Sequence, residues 1–265
     1  MNPQTLSGAT RLHYIVGDPI AQVKSPAGVS QAFAERGHQA VCVPAHVAPQ
    51  DLAAWARGVS LAQNVDGIIV TVPHKFACVP LCASLSERAS FLGAVNTLRR
   101  NPDGTWHGDM FDGLGFVQAM RAQQCEPAGR KVLLVGAGGA GSAIAHALVM
   151  ADVSELALHD PDVRRRDGLI ARLASLGRGE VRVGNADPRG FDIVINASPI
   201  GMREGDPYPL DVDLLQPRMF CGCVITAPAI TPFIAAARAK KCATLTGTDM
   251  FLQVRGLMVD FLLGA

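Results

Sequence analysis

The residues with the plainest chemical potential lie in Lys131-Val-Leu-Leu-Val-Gly-Ala-Gly-Gly-Ala-Gly141, where a short apolar run passes directly into spaced glycines. Val132 to Val135 has buried-strand character, and the alanine-rich Ser142 to Met150 continues at helical period without proline. In a strand–loop–helix setting, Gly136 permits the tight turn, Gly138 lets the backbone approach a pyrophosphate, and Gly141 lets helix and strand pack closely. The helix start at Gly139, Ala140 and Gly141 offers unpaired N–H groups and the positive end of the helix dipole to phosphate oxygens. An ordinary glycine-rich turn is the bland alternative. Strand, loop and helix in this order favour a dinucleotide.

A second strand-like run, Glu155-Leu-Ala-Leu-His-Asp160, ends in a carboxylate. At that distance from the loop, a carboxylate accepts hydrogen bonds from ribose hydroxyls and repels a 2′-phosphate. Asp160 also reads as a turn residue before Pro161, and Arg164-Arg165-Arg166 could meet a 2′-phosphate or simply solvate the next helix. Weighing the strand-tip carboxylate above the later arginines gives NAD as the expected cofactor, with NADP less favoured. Hydride transfer from an alcohol then needs a proton acceptor. Among only five lysines, Lys75 follows the strand end Val70-Thr-Val-Pro-His-Lys75, where open α/β sheets place ligand-binding groups. A lysine desolvated in a cleft can shuttle a proton; taken alone, Lys75 reads rather as a surface residue. His13, His146 and His159 read as core or edge residues, and no cysteine has an activating setting.

The elements that must position these groups alternate. In the C-terminal two-thirds, strands are predicted at 131–135, 156–159, 192–196, 221–225 and 242–245, with helices at 140–150, 164–176 and 231–240. Short apolar strands with little alternation indicate a parallel sheet covered on both faces. The first hundred residues repeat the pattern without a phosphate loop: strands at 12–16, 40–44 and 67–72, helices at 25–36 and 49–58. A helix over 113–124 joins the two halves. The segment 250–263 carries apolar residues at helical spacing and is expected to return to the first domain. The predicted fold is therefore α/β with two α/β domains: a substrate-binding domain (1–112), a Rossmann-type nucleotide domain (113–246) and a C-terminal helix (247–265) packing on the first.

Composition agrees with a small-molecule enzyme. The chain has 265 residues, 49% of them hydrophobic, and a formal net charge of +1, so no basic footprint argues for nucleic acid or an anionic membrane. No apolar run is long enough to span a bilayer, and residues 1–10 lack signal-peptide order. Seven irregularly spaced cysteines argue against a disulfide framework and offer no zinc-ligand spacing, so no metal is expected. A soluble, reduced, cytoplasmic monomer or homodimer is the expectation.

The motifs taken together resemble those of the shikimate dehydrogenase family. Gly17-Asp-Pro-Ile-Ala-Gln-Val-Lys-Ser-Pro26 is similar to its G-x-P-I-x-H-S-x-S-P opening, and Val70 to Lys75 to its V-T-V-P-x-K. Leu92-Gly-Ala-Val-Asn-Thr97 contains G-A-V-N-T, and Gly108-Asp-Met-Phe-Asp-Gly113 resembles G-x-N-T-D-G. Gly136 to Gly139 matches the cofactor loop, and Asn196-Ala-Ser-Pro-Ile-Gly-Met202 the N-A-(S/T)-x-x-G-M stretch. The resemblance implies that Lys75 takes the proton from a ring hydroxyl, that Asp112 orients the lysine, and that Asn96 and Thr71 bind the remaining hydroxyls. It places Ser25 and Gln253 with the substrate, and Asn196, Ser198 and Gly247 with the glycine loop around the cofactor. Shikimate, quinate or a related hydroxylated ring acid is the implied substrate.

The departures bear on the substrate. The first serine of the carboxylate-holding pair is Val23, and the Asn-Thr before the catalytic aspartate is Met110-Phe111. An expected tyrosine is Thr226. Val254 occupies the place of a glutamine, and Gln253 stands one residue earlier, about 100° around a helix. Each hydrogen bond lost to a charged group costs about 1.5–3 kcal/mol, so a different, less polar substrate is the alternative, with Ser25, Lys24 or His74 left to catch an anion. A non-catalytic NAD-binding sensor is the rival from another class.

Overall fold

The computed structural model describes residues 6–264; residues 1–5 and Ala265, the outermost ends of the expected domains and half of the segment read for a signal peptide, lie outside it. The chain divides into two compact units, Met1–Phe111 with Arg255–Ala265, and Asp112–Val254.

In the first unit, β1 (Arg11–Gly17), α1 (Ser25–Glu35), β2 (Ala40–His46), α2 (Leu52–Ser60) and β3 (Val65–Val70) alternate. Next come β4 (Ser84–Leu85), α3 (Glu87–Leu92), β5 (Thr97–Arg100) and β6 (Trp106–Asp109). The sheet order is β2-β1-β3-β5-β6-β4. β1 runs parallel to β2 and β3, with Val16 opposite Val70, whereas β5 is antiparallel to both β3 and β6. Val65, Ile68, Ile69 and Val70 are buried, as strands covered on both faces require.

The second unit contains α4 (Asp112–Ala122), β7 (Lys131–Val135), α5 (Gly139–Met150), β8 (Glu155–His159), α6 (Val163–Ala174) and β9 (Glu180–Val183). β10 (Ile193–Asn196), β11 (Phe220–Cys223), α7 (Pro232–Ala239), β12 (Ala243–Leu245) and α8 (Gly247–Leu263) follow. Its six strands are all parallel, in the order β12-β11-β10-β7-β8-β9. The order reverses at β7 and β10, the switch point of a doubly wound sheet. A Cβ on Gly113 would collide with the Ala143 carbonyl, so a residue without a side chain is what lets α4 approach α5 so closely.

The C-terminal half of α8 belongs to the first unit. A Cβ on Gly67 of β3 would collide with Leu262, Arg36 pairs with Asp260 at 2.6 Å, and Arg99 Nη1 donates to the Phe261 carbonyl at 3.2 Å.

Three features escape the periodicity. The β5–β6 hairpin has the short, charged strands Thr-Leu-Arg-Arg and Trp-His-Gly-Asp; its readable signal was the turn Asn101-Pro-Asp-Gly-Thr105, closed by Asn101 N–H to the Thr105 carbonyl at 2.8 Å. α3 spans only six residues, capped by Ser86 and ended by Gly93 at φ 62°. β9 is a largely exposed edge strand, where charge is the normal defence against further pairing.

His13, in the middle of β1, is 2% exposed, its ring 4.4 Å from that of Phe33, and its Nδ1 has no hydrogen-bond partner. Burial lowers its pKa from 6.5 to about 4. The unfolded chain therefore takes up a proton that the folded chain refuses as pH falls below 6.5. The stability due to this group is complete above pH 6.5, declines as pH falls towards 4, and is reduced by about 3 kcal/mol at the low end. Chemical denaturation between pH 7 and 4 should show this slope, and His13→Leu should flatten it.

Candidate active site

The glycine loop is built on two close approaches. Gly136 has φ 102°, and a Cβ there would meet the Ala197 carbonyl carbon and the Ser198 nitrogen at 2.8 Å. A Cβ on Gly141 would collide with the Gly136 carbonyl. Gly138 differs: a Cβ there would meet no protein atom within 4 Å. It caps α5, no side chain caps that helix, and Ser142 N–H donates to the Gly138 carbonyl at 2.8 Å. Gly139 and Ala140 are half-buried in its first turn. A backbone approachable at Gly138, before a helix start whose N–H groups no side chain caps, suits a phosphate-bearing ligand.

Asp160 holds this loop from below. It is 6% exposed, its Oδ2 accepts the Ala137 N–H at 2.7 Å, and its Oδ1 accepts the Asp162 N–H at 2.8 Å. Arg165 lies 3.9 Å from Asp160 and 3.2 Å from Asp162. Asn196, fully buried at the end of β10, accepts from the Ser198 hydroxyl at 2.6 Å and the Ser198 N–H at 3.1 Å, and donates to the Ile200 carbonyl at 2.9 Å. These two side chains fold the loop that backs Gly136. Gly247, first residue of α8, packs so tightly on Ile225 that a Cβ would collide with its carbonyl.

In the first unit, Thr71, Lys75 and Asn96 are gathered at one end of the sheet. Thr71 N–H donates to the Val16 carbonyl at 2.9 Å, continuing the β1–β3 pairing, and a Cβ on Gly17 would collide with the Thr71 methyl. Lys75 is half-buried, and its carbonyl accepts the Val95 N–H at 2.9 Å. Asn96 is 2% exposed; its carbonyl accepts from Val70 N–H at 2.7 Å and its N–H donates to Asp109 at 2.9 Å. Its Oδ1 accepts the Phe111 N–H at 3.0 Å and the Thr97 hydroxyl at 3.1 Å. Ser25 is buried at the first turn of α1, and Lys24 before it is exposed. Asp112 opens α4 in the second unit, 5% exposed.

His74 is not available to an anion: it is 1% exposed and its Nε2 donates to the Val47 carbonyl at 2.7 Å. The other departures are apolar packing. Met110 and Phe111 are buried, and the Phe111 ring lies 5.3 Å from that of Phe261. Val254 is buried so close to α4 that a Cβ on Gly115 would collide with it, while neighbouring Gln253 is half-buried. Val23 and Thr226 are half-buried. Asp109, Arg88 and Ser86 were missed by the sequence reading. Asp109 sits between the glycine and the Met110-Phe111 pair of a recognised motif, and its 4% exposure is a tertiary fact.

Residues 15–98 match the family model of the shikimate dehydrogenase substrate binding domain. A shikimate dehydrogenase (NADP(+)) from Rubrobacter xylanophilus is 39% identical over 258 residues, covering 95% of this chain and 90% of that protein. The chain belongs to the shikimate dehydrogenase family. Among solved structures, the quinate dehydrogenase from Corynebacterium glutamicum in complex with NAD is 30% identical with a TM-score of 0.85, covering 97% of this chain and 94% of that one. The 5-ketofructose reductase of a Gluconobacter strain is 27% identical with a TM-score of 0.84, over 97% and 94% of the two chains.

One expectation is corrected. The preference for NAD is overturned by the family's curated members, since the Rubrobacter enzyme and two further relatives, 34% and 32% identical, are all named as NADP(+) enzymes. Each oxygen of Asp160 accepts one backbone N–H that shapes the loop, and Arg165, a cation able to meet a 2′-phosphate, stands beside it.

Two alanine substitutions separate the roles of the loop glycines. Gly141→Ala should lower stability by about 1–3 kcal/mol through overpacking, read by denaturation. Gly138→Ala should leave stability nearly unchanged and weaken dinucleotide binding by at least about tenfold, read by titration; equal effects of the two on stability would contradict the assignment of Gly138 to the ligand.

Proposed function

We propose that this protein is a dehydrogenase that interconverts a secondary ring hydroxyl of shikimate, quinate or a related hydroxylated ring acid with the matching ketone, using NADP(H). That it is an oxidoreductase acting on a CH–OH group with a nicotinamide dinucleotide as acceptor is what family membership carries. The observation that most supports the substrate side is the gathering of Thr71, Lys75 and Asn96 at one end of the β1–β3–β5 sheet by backbone hydrogen bonds.

The roles follow from side-chain chemistry. Lys75 accepts the hydroxyl proton through Nζ, and Asp112 orients that ammonium group. Asn96 and Thr71 hold further hydroxyls, and the Ser25 hydroxyl, at the first turn of α1, meets the carboxylate. The nicotinamide group, when bound, supplies the hydride acceptor. Gly138, Gly139, Ala140 and Gly141 hold the pyrophosphate through backbone donors, and Gly136, whose N–H is donated to the His159 carbonyl, makes the tight turn that presents them. Asn196, Ser198 and Gly247 shape the wall around it, and Arg165 meets the 2′-phosphate with its guanidinium.

A second reading, a substrate less polar than shikimate, is favoured by one observation. Phe111 and Val254 are not merely apolar at positions where the family carries polar groups; both are buried in packing contacts and offer a substrate no hydrogen bond. The 5-ketofructose reductase has the same fold under another substrate name.

A reduction assay with NADP+ over shikimate, quinate and less oxygenated ring alcohols tests both readings. Lys75→Ala should reduce kcat by about 10²–10⁴-fold while leaving dinucleotide affinity intact; unchanged turnover would remove Lys75 from the chemistry. No turnover with any ring alcohol would sink the substrate class. Arg165→Ala should raise the KM for NADP+ by about tenfold or more without a matching effect on NAD+; equal effects on both would exclude it as the phosphate partner.

A further inference from the structure

Behind Asn96 lies a polar network that the proposed reaction does not use. Asp109, at the end of β6, is buried, with 6% of its side chain exposed. Its Oδ1 accepts the Met110 N–H at 2.7 Å and the hydroxyl of Ser86, and its Oδ2 accepts from Arg88 Nη2. Ser86 also caps α3 by accepting the Ala89 N–H at 3.2 Å. The Arg88 guanidinium lies 4.9 Å from the centre of the Phe111 ring. One arginine thus holds residues 109 and 111 together, by an ion pair to the first and a cation–π contact to the second.

These two residues are the ones that hold Asn96. The Asp109 carbonyl accepts the Asn96 N–H at 2.9 Å, and the Phe111 N–H donates to Asn96 Oδ1 at 3.0 Å. With the Thr97 hydroxyl as a second donor at 3.1 Å, both lone pairs of Oδ1 are in use. A carboxamide oxygen has two acceptor positions, so Oδ1 is fully engaged by Thr97 and Phe111 and the plane of the amide is fixed.

We infer that Arg88 and Asp109 are positioning residues that fix the orientation of the Asn96 carboxamide at the substrate. The inference rests on the proposed role of Asn96 at the substrate. Arg88 and Asp109 act at a distance from the reacting atoms, through the backbone of 109–111.

A double-mutant cycle tests this on the full-length enzyme with its best ring-alcohol substrate and saturating NADP+. Arg88→Gln and Asn96→Ala should each lower kcat/KM by about tenfold, the loss of one hydrogen bond. Coupled residues give non-additive effects, so Arg88→Gln in the Asn96→Ala background should cost less than about twofold more. Arg88→Lys, which keeps the charge on Asp109, should recover part of the loss. Asp109→Asn takes the place of Arg88→Gln in the cycle if the latter does not fold, and the same non-additivity is expected. Additive effects, or wild-type kcat/KM in Arg88→Gln or Asp109→Asn, overturn the inference. Absence of turnover in the wild-type enzyme would instead overturn the proposed substrate class, so the two failures are distinct.

Discussion

Asn96 joins its own segment to two others, the end of β3 and residues 109–111, and the candidate substrate site depends on that junction. Its main chain links the end of β3 at Val70 to the end of β6 at Asp109, and its side chain closes on Phe111. A buried amide with unmet hydrogen bonds is costly, so each of these partners must be in place for the segment to fold. The same bonds that make Asn96 affordable in the interior also orient its carboxamide. Structure and proposed chemistry are therefore carried by one set of contacts. Thr71 and Lys75 are attached to this junction through neighbouring backbone bonds to Val16 and Val95.

The glycine loop solves a different problem with the same economy. Its close contacts are made by residues without Cβ atoms: Gly136 against Ala197 and Ser198, and Gly141 against Gly136 itself. Asp160 and Asn196 then fasten the loop and its neighbour through buried hydrogen bonds to backbone. Asp160 shapes the loop through both of its oxygens, one to Ala137 N–H and one to Asp162 N–H.

Met110, Phe111 and Val254, which depart from the family motifs, are packed into the protein rather than left open. Phe111 carries the Arg88 guanidinium over its ring and meets the Phe261 ring at a tilt, and Val254 packs into the groove left by Gly115. These substitutions exchange hydrogen-bonding capacity for apolar contact, and the surrounding glycine and arginine accommodate them. The gathering of Thr71, Lys75 and Asn96 stands beside that exchange without depending on it.

The sequence by itself determined the alternation of strand and helix, the glycine loop and the motif order that marks the family, because periodicity, glycine spacing and short motifs are local properties. It did not reveal the β5–β6 hairpin or β9, whose short charged strands exist only through pairing with their neighbours. Nor did it reveal that His74 is spent on Val47, that Asp160 braces Ala137 and Asp162, or that Asp109 is buried against Arg88. Those outcomes depend on partners far away in the chain or on loop conformation, and a side chain's chemistry is set by what it is bonded to. Residue type and position announced which groups could act; only the tertiary structure decided which of them were already engaged in holding the fold.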